Sequence, residues 1–154
     1  MANQYRKKRE EGFTIIEVLI VLAIAGLILL VVFLAVPALQ RNGRNTAIKN
    51  DVQNLLGGVS EYMSNNDGKA PNSISGTGDI TITDGTTPQT TKLSASRLVT
   101  YTTQAPTPGN LSVSMGQKCG SASTMTTTGA TSRSVAVLYH IETSSGTTPK
   151  CQES

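Results

Sequence analysis

Residues 12–39 read GFTIIEVLIVLAIAGLILLVVFLAVPAL, and this stretch decides the fold. Its last 22 residues, Val18 to Leu39, carry no charge. As a helix rising 1.5 Å per residue they would be roughly 33 Å long, enough to cross a bilayer core of roughly 30 Å. The cluster Arg6-Lys7-Lys8-Arg9 lies on the N-terminal side. The positive-inside tendency therefore puts residue 1 in the cytoplasm and exports everything after Leu39. A secretory signal peptide has the same basic start, but its apolar core is about 7–15 residues and ends at a small-residue cut. This run is longer, and Pro37 sits poorly beside a cut at Ala35. A plain single-pass anchor fits the length as well.

The composition is that of one ordinary domain with such a segment attached. Outside the apolar run the chain is polar and rich in Thr, Ser and Gly, and it has no Trp. The net charge of +3 belongs mostly to the N-terminus. Residues 1–12 hold four basic and two acidic side chains, and the other residues balance to +1. A charge placed this way does not point to nucleic-acid binding.

Gly12-Phe13-Thr14-Ile15-Ile16-Glu17, after a short basic leader and before a long apolar helix, resembles the prepilin signature of type IV pilins and type II secretion pseudopilins. The likeness covers roughly the first 40 residues. It implies a leader, residues 1–12, removed by a membrane-embedded prepilin peptidase that cuts between Gly12 and Phe13 and methylates the new Phe13 amine. Gly12, with no side chain, suits a peptide bond held extended in a protease site. Glu17 is the sole ionisable side chain between that amine and Arg41. A charge at the centre of a membrane span costs roughly 2.5–3.5 kcal/mol, and less near an end. The helix dipole returns about 0.3–1 kcal/mol to an acid in the first turn. The resemblance supplies a partner for Glu17, the Phe13 amine of its own or a neighbouring subunit during filament assembly. The alternative is a boundary residue snorkelling to the headgroups. Gly26 and Pro37 interrupt the apolar run, and Pro removes a helical hydrogen bond. The resemblance suggests that the stretch between them loosens in a packed filament; the alternative is a membrane helix tolerating both residues.

Beyond Pro37 the pattern becomes amphipathic. Ile48, Val52, Leu55, Val59 and Tyr62 recur at steps of four and three, which places them on one helix face. The turn formers Asn65-Asn66-Asp67-Gly68 end it. The division expected is a transmembrane or filament-core helix over 13–39, an amphipathic continuation over 40–66, and a β-rich exported head over 67–154. Strands are expected at 79–83, 97–104, 111–115 and 134–143, with loops at 84–91, 105–110 and 121–132. The fold class is α+β and pilin-like: a long helix, transmembrane in its first half, packed on a small antiparallel sheet of three or four strands.

Cys119 and Cys151, both exported, read as a disulfide closing a loop of roughly 30 residues, worth about 3–4 kcal/mol in the chain-entropy model; two free thiols are the alternative. In pilins a comparable bridge often bounds an exposed loop. No catalytic constellation, cofactor motif or metal-ligand spacing is found. His140, the sole histidine, sits in an apolar strand and reads as structural. Asp79 and Asp84 read as turn residues rather than a calcium site. Asn110-Leu111-Ser112 matches a glycosylation tripeptide that is common by chance.

Three function classes stay open, none of them enzymatic. They are a type IV pilus subunit serving adhesion, twitching motility or DNA uptake, a pseudopilin of a secretion or competence apparatus, and a non-assembling anchored surface protein. The resemblance implies further copies of the chain in a helical filament as partners. It also implies the prepilin peptidase and methyltransferase, an assembly platform with its ATPase, and membrane lipid before assembly. DNA stays open, because Lys69, Lys92, Arg97, Lys118, Arg133 and Lys150 form no evident stripe. The implied location is the cytoplasmic membrane, crossed once, and then an extracellular filament.

Overall fold

The computed structural model describes residues 12–93, 97–121 and 123–154. The expected leader, apart from Gly12, lies outside the described residues, and its Arg6-Lys7-Lys8-Arg9 cluster with it. One helix, α1 (Ile15–Asn65), precedes nine strands among the described residues. These are β1 (Ser73–Thr77), β2 (Asp79–Thr83), β3 (Gln89–Lys92), β4 (Leu98–Tyr101), β5 (Leu111–Met115), β6 (Lys118–Ser121), β7 (Thr124–Thr126), β8 (Val135–Thr143) and β9 (Gly146–Glu153). Two compact units divide the chain, one ending at Leu39 and the other running from Gln40 to Ser154.

In the first unit every residue from Gly12 to Pro37 is exposed. Leu, Ile and Val here cover all sides of a helix that is long and apolar enough to cross a membrane. A helix apolar all round needs lipid or partner helices around it. It runs unbroken through Pro37.

The second unit is built on the stripe read from the sequence. Ile48, Val52, Leu55, Val59 and Tyr62 are all buried, joined by Leu56 and Met63. They pack against Ile74, Ile80, Ile82, Val99, Leu111, Val113, Val135, Val137 and Tyr139 of the strands. Helix and sheet are in close contact at Gly58, where an added Cβ would stand 2.9 Å from Cβ of Thr91. The helix ends as expected at Asn65: the Gly68 amide donates to the Met63 carbonyl at 2.7 Å, with Asp67 and Gly68 at φ of 52° and 75°. This is a left-handed C-cap, which satisfies a carbonyl the helix leaves open.

The sheet is larger than expected. Seven strands run in the order β3-β2-β1-β4-β5-β8-β9, and β6 and β7 form a separate two-stranded ribbon. Strand β7 and all of β3 but Lys92 fall in stretches expected to be loops. The sheet is also mixed, because β4 and β5 pair in parallel. Parallel neighbours usually need a crossover of about a dozen or more residues. Here the nine residues 102–110 suffice. A strand of four residues is only about 13 Å long, and nine extended residues can return over that distance.

Cys119 and Cys151 form a disulfide, with Cα atoms 5.7 Å apart. Cys151 lies opposite Leu138 in the β8–β9 pairing. Val135, Val137 and Tyr139 belong to the core against α1, whereas Ala136 and Leu138, of opposite parity, are buried outside that cluster. The β6–β7 ribbon touches β8, so it covers this second face and the disulfide fastens it there. Glu153 adds a bond, its Oε2 accepting the Cys119 amide at 2.6 Å.

Polar clamps hold α1 to the strands near the start of this unit. Arg44 grips Glu142 with Nε at 2.7 Å and Nη2 at 2.6 Å. The Asn45 side chain pairs with the Glu142 backbone, donating to its carbonyl at 2.8 Å and accepting its amide at 2.7 Å. Deeper in, fully buried Asp51 accepts from Nε of Arg97 at 2.6 Å.

Candidate processing and assembly site

The first turn of α1 carries the residues to which the sequence assigns chemistry. Gly12 and Phe13 precede the helix, and Phe13 is 90% exposed. Both flanks of the Gly12–Phe13 bond are thus open in the described chain, as an enzyme that cuts there requires.

Thr14 is the residue before the helix and Glu17 is the third residue within it. Oε2 of Glu17 accepts the Thr14 amide at 2.9 Å and the Thr14 hydroxyl at 2.8 Å. The Thr14 Oγ1 lies 3.4 Å from the Glu17 amide that donates to it. This is a capping box: side chains at both ends of the first turn satisfy amides that the helix leaves open. The sequence reading missed it, although a Thr followed three residues later by Glu before an apolar run is its signal. The box uses one carboxylate oxygen. Oε1 of Glu17 makes no hydrogen bond among the described residues.

Gly26 has open space where a side chain would stand, with nothing within 4 Å of an added Cβ. A second helix could approach closely at that point.

Other candidates from the sequence resolve into local structure. Oδ1 of Asp84 accepts the Thr86 amide at 2.9 Å, the Thr86 hydroxyl at 2.7 Å and the Thr87 amide at 3.3 Å. These bonds hold the Asp84 carboxyl well below its ordinary range. Asp79 faces Lys92 at 3.7 Å. Among the described residues no group of three or more His, Cys, Asp or Glu could hold a metal ion. Asn110 spends its amide on the Thr107 hydroxyl and the Leu98 backbone, and Ser112 of its tripeptide is fully buried.

Comparison with known families gives one match: residues 7–33 fit the prokaryotic N-terminal methylation motif, the signature of type IV prepilins and pseudopilins. No curated protein and no solved structure matches the chain. The match covers 27 of the 154 residues and makes the chain similar to type IV pilin-like and pseudopilin proteins over that stretch.

Proposed function

We propose that this chain is the structural subunit of a type IV pilus-like filament. It is made as a precursor with residue 1 in the cytoplasm, inserted through residues 13–39, and cut between Gly12 and Phe13. The Phe13 amine is then methylated, and the subunit leaves the membrane to join an extracellular filament for adhesion, motility or DNA uptake. The carrying observation is the methylation motif over residues 7–33, set on a helix whose apolar side chains are exposed on all sides.

In this reading Glu17 has two tasks divided between its oxygens. Oε2 caps its own helix through Thr14. Oε1 receives the Phe13 amine of a docking subunit, which offsets the cost of a carboxylate among apolar helices. Gly26 and Pro37 mark the stretch that loosens as subunits pack. Residues 40–66 scaffold the head, 67–154.

Processing is tested by expressing the full chain with and without a prepilin peptidase. The expected product is shorter by residues 1–12, and Gly12→Val should abolish the cut. A cut elsewhere, or equal cutting of the Gly12→Val chain, would refute the assignment. The second reading is a pseudopilin sharing this N-terminus, supported by the same motif. Subunits confined to the envelope and never found in sheared surface material would select it.

A further inference from the structure

Strand β8 outruns its neighbour. Its pairing with β5 covers Val135 to Leu138 and leaves Tyr139 to Thr143 with no β5 partner. Successive residues of a strand turn their amides and carbonyls to opposite sides. The Ser134 carbonyl accepts the Gly116 amide just past β5, and the Val135 carbonyl accepts the Ser154 amide just past β9. Even-numbered residues of β8 therefore turn their backbone groups towards β5, and odd-numbered ones towards β9. Glu142 follows the same parity, and the Asn45 side chain meets its amide at 2.7 Å and its carbonyl at 2.8 Å. A single carboxamide thus pairs with this edge as the peptide group of a neighbouring strand does.

His140 is the even residue between Leu138, which β5 holds, and Glu142, which Asn45 holds. Asn110 would stand opposite it if β5 began one residue earlier, but the Asn110 amide goes to the Thr107 carbonyl. On the β5 side the His140 amide and carbonyl make no hydrogen bond among the described residues. A strand edge left open is a template for another extended segment.

This edge borders a cavity of about 250 Å³ lined by Arg44, Asn45, Arg97, His140, Glu142 and Thr147 among others. Its charges are already matched: Arg44 holds Glu142 at 2.6 Å, and Arg97 holds Asp51 at 2.6 Å. A lining balanced in this way offers a free ion little, and hydrogen-bond geometry selects the ligand. Arg44 keeps Nη1, and Arg97 keeps Nη2, without a hydrogen bond among the described residues; both can donate to carbonyls. At roughly 30 Å³ per water the space equals about eight waters, which suits a few small residues and no bulky side chain.

We propose that this cavity binds an uncharged, extended peptide of small residues, which adds to β8 at His140 along the line of β5. The peptide residue opposite His140 exchanges two backbone hydrogen bonds with it. Arg44 and Arg97 serve the carbonyls on either side. Asn45, seated on Glu142, closes the run, so the site reads one residue pair and does not extend the sheet further. The site lies wholly within residues 40–154 and does not depend on how the chain is processed or assembled.

The test titrates the full chain in detergent micelles with the blocked peptide N-acetyl-Gly-Thr-Gly-amide and follows the His140 amide by NMR. That amide should shift and exchange more slowly with solvent as the peptide is added. Methylating the central nitrogen of the peptide removes one of its two bonds to His140 and should weaken binding about tenfold. Thr147→Trp, at an exposed position on the cavity wall, should abolish binding with the melting temperature unchanged. If that variant fails to fold, the pair of peptides decides alone. A methylated peptide that binds as well as its parent overturns the proposal, and so does a His140 amide that never responds. Tighter binding by the same peptide with a free carboxylate would make this an anion site and overturns it as well.

Discussion

Glu17 and Thr14 close the first turn of α1 through a single carboxylate oxygen, which takes the Thr14 amide at 2.9 Å and its hydroxyl at 2.8 Å. Two residues of the stretch that matches the methylation motif are therefore a helix-initiating device, beside the processing and docking roles proposed for that stretch. The helix start is placed just after the bond assigned to the peptidase, so its cut would leave a short, defined N-terminus.

Replacing Thr14 by Ala removes the capping hydroxyl and should cost about 1 kcal/mol at the helix start. Hydrogen exchange of the Glu17 and Val18 amides in detergent micelles should speed up, and Thr14→Ser should restore protection. Unchanged exchange in Thr14→Ala would show that the capping box does not hold the first turn.

Two adjacent glycines should respond with opposite sign. At Gly57 an added Cβ meets nothing within 4 Å, so Gly57→Ala should stabilise by up to about 1 kcal/mol through helix propensity. At Gly58 it would stand 2.9 Å from Cβ of Thr91 and 3.2 Å from Cδ1 of Ile82. Overpacking of about 1–3 kcal/mol should outweigh the propensity gain there. Thermal melts of the two variants decide it, and a Gly58→Ala chain as stable as Gly57→Ala would mean that helix and sheet are not in close contact at Thr91.

Cys151→Ser should cost about 3–4 kcal/mol by lengthening the free unfolded chain. The disulfide also fastens the β6–β7 ribbon over Ala136 and Leu138, so the loss should be uneven. Limited proteolysis of the reduced or Ser variant should cut first within 116–134, before the strands packed on α1. Uniform digestion would argue that the ribbon is held without the bridge.

Two carboxylates give a pH dependence of known sign. Hydrogen bonds from Thr86 and Thr87 depress Asp84, and the Arg44 guanidinium depresses Glu142. A depressed folded pKa contributes stability that is complete above the ordinary values, 3.8 and 4.5, and is lost as pH falls through and below them. Melting temperature should therefore drop on acidification from about pH 5, the upper end of the range in which such carboxylates lose their stabilising charge. Asp84→Asn and Glu142→Gln should each flatten part of that drop. Salt should weaken the Glu142 share, an exposed ion pair, more than the Asp84 share, which rests on short local bonds. Identical salt sensitivity for both would contradict these causes.

What could be read in the sequence follows the apolar pattern. The stripe from Ile48 to Tyr62, the helix end at Asn65, and the strands at 79–83 and 111–115 were legible because alternation or helical spacing is strong there. Strands β1, β3, β6, β7 and β9 were not. The sequence Gln89-Thr90-Thr91-Lys92 has no apolar residue, and β9 contains Pro149, which an edge strand tolerates and a sequence pattern reads as a break. These strands form because neighbours supply hydrogen-bonding partners, a non-local fact. The Asp51–Arg97 and Arg44–Glu142 pairs join residues 46 and 98 positions apart, and no local spacing announces them. The capping box was different: its signal was local and present at Thr14 and Glu17, overshadowed by the motif that shares its letters.

The most direct test of the account is mass spectrometry of the N-terminal peptide from filaments sheared off cells. The account predicts a peptide that begins at Phe13 and carries a methyl group on its amine. An intact N-terminus beginning at Met1, recovered only from the membrane fraction, would contradict it and leave an anchored surface domain in place of a filament subunit.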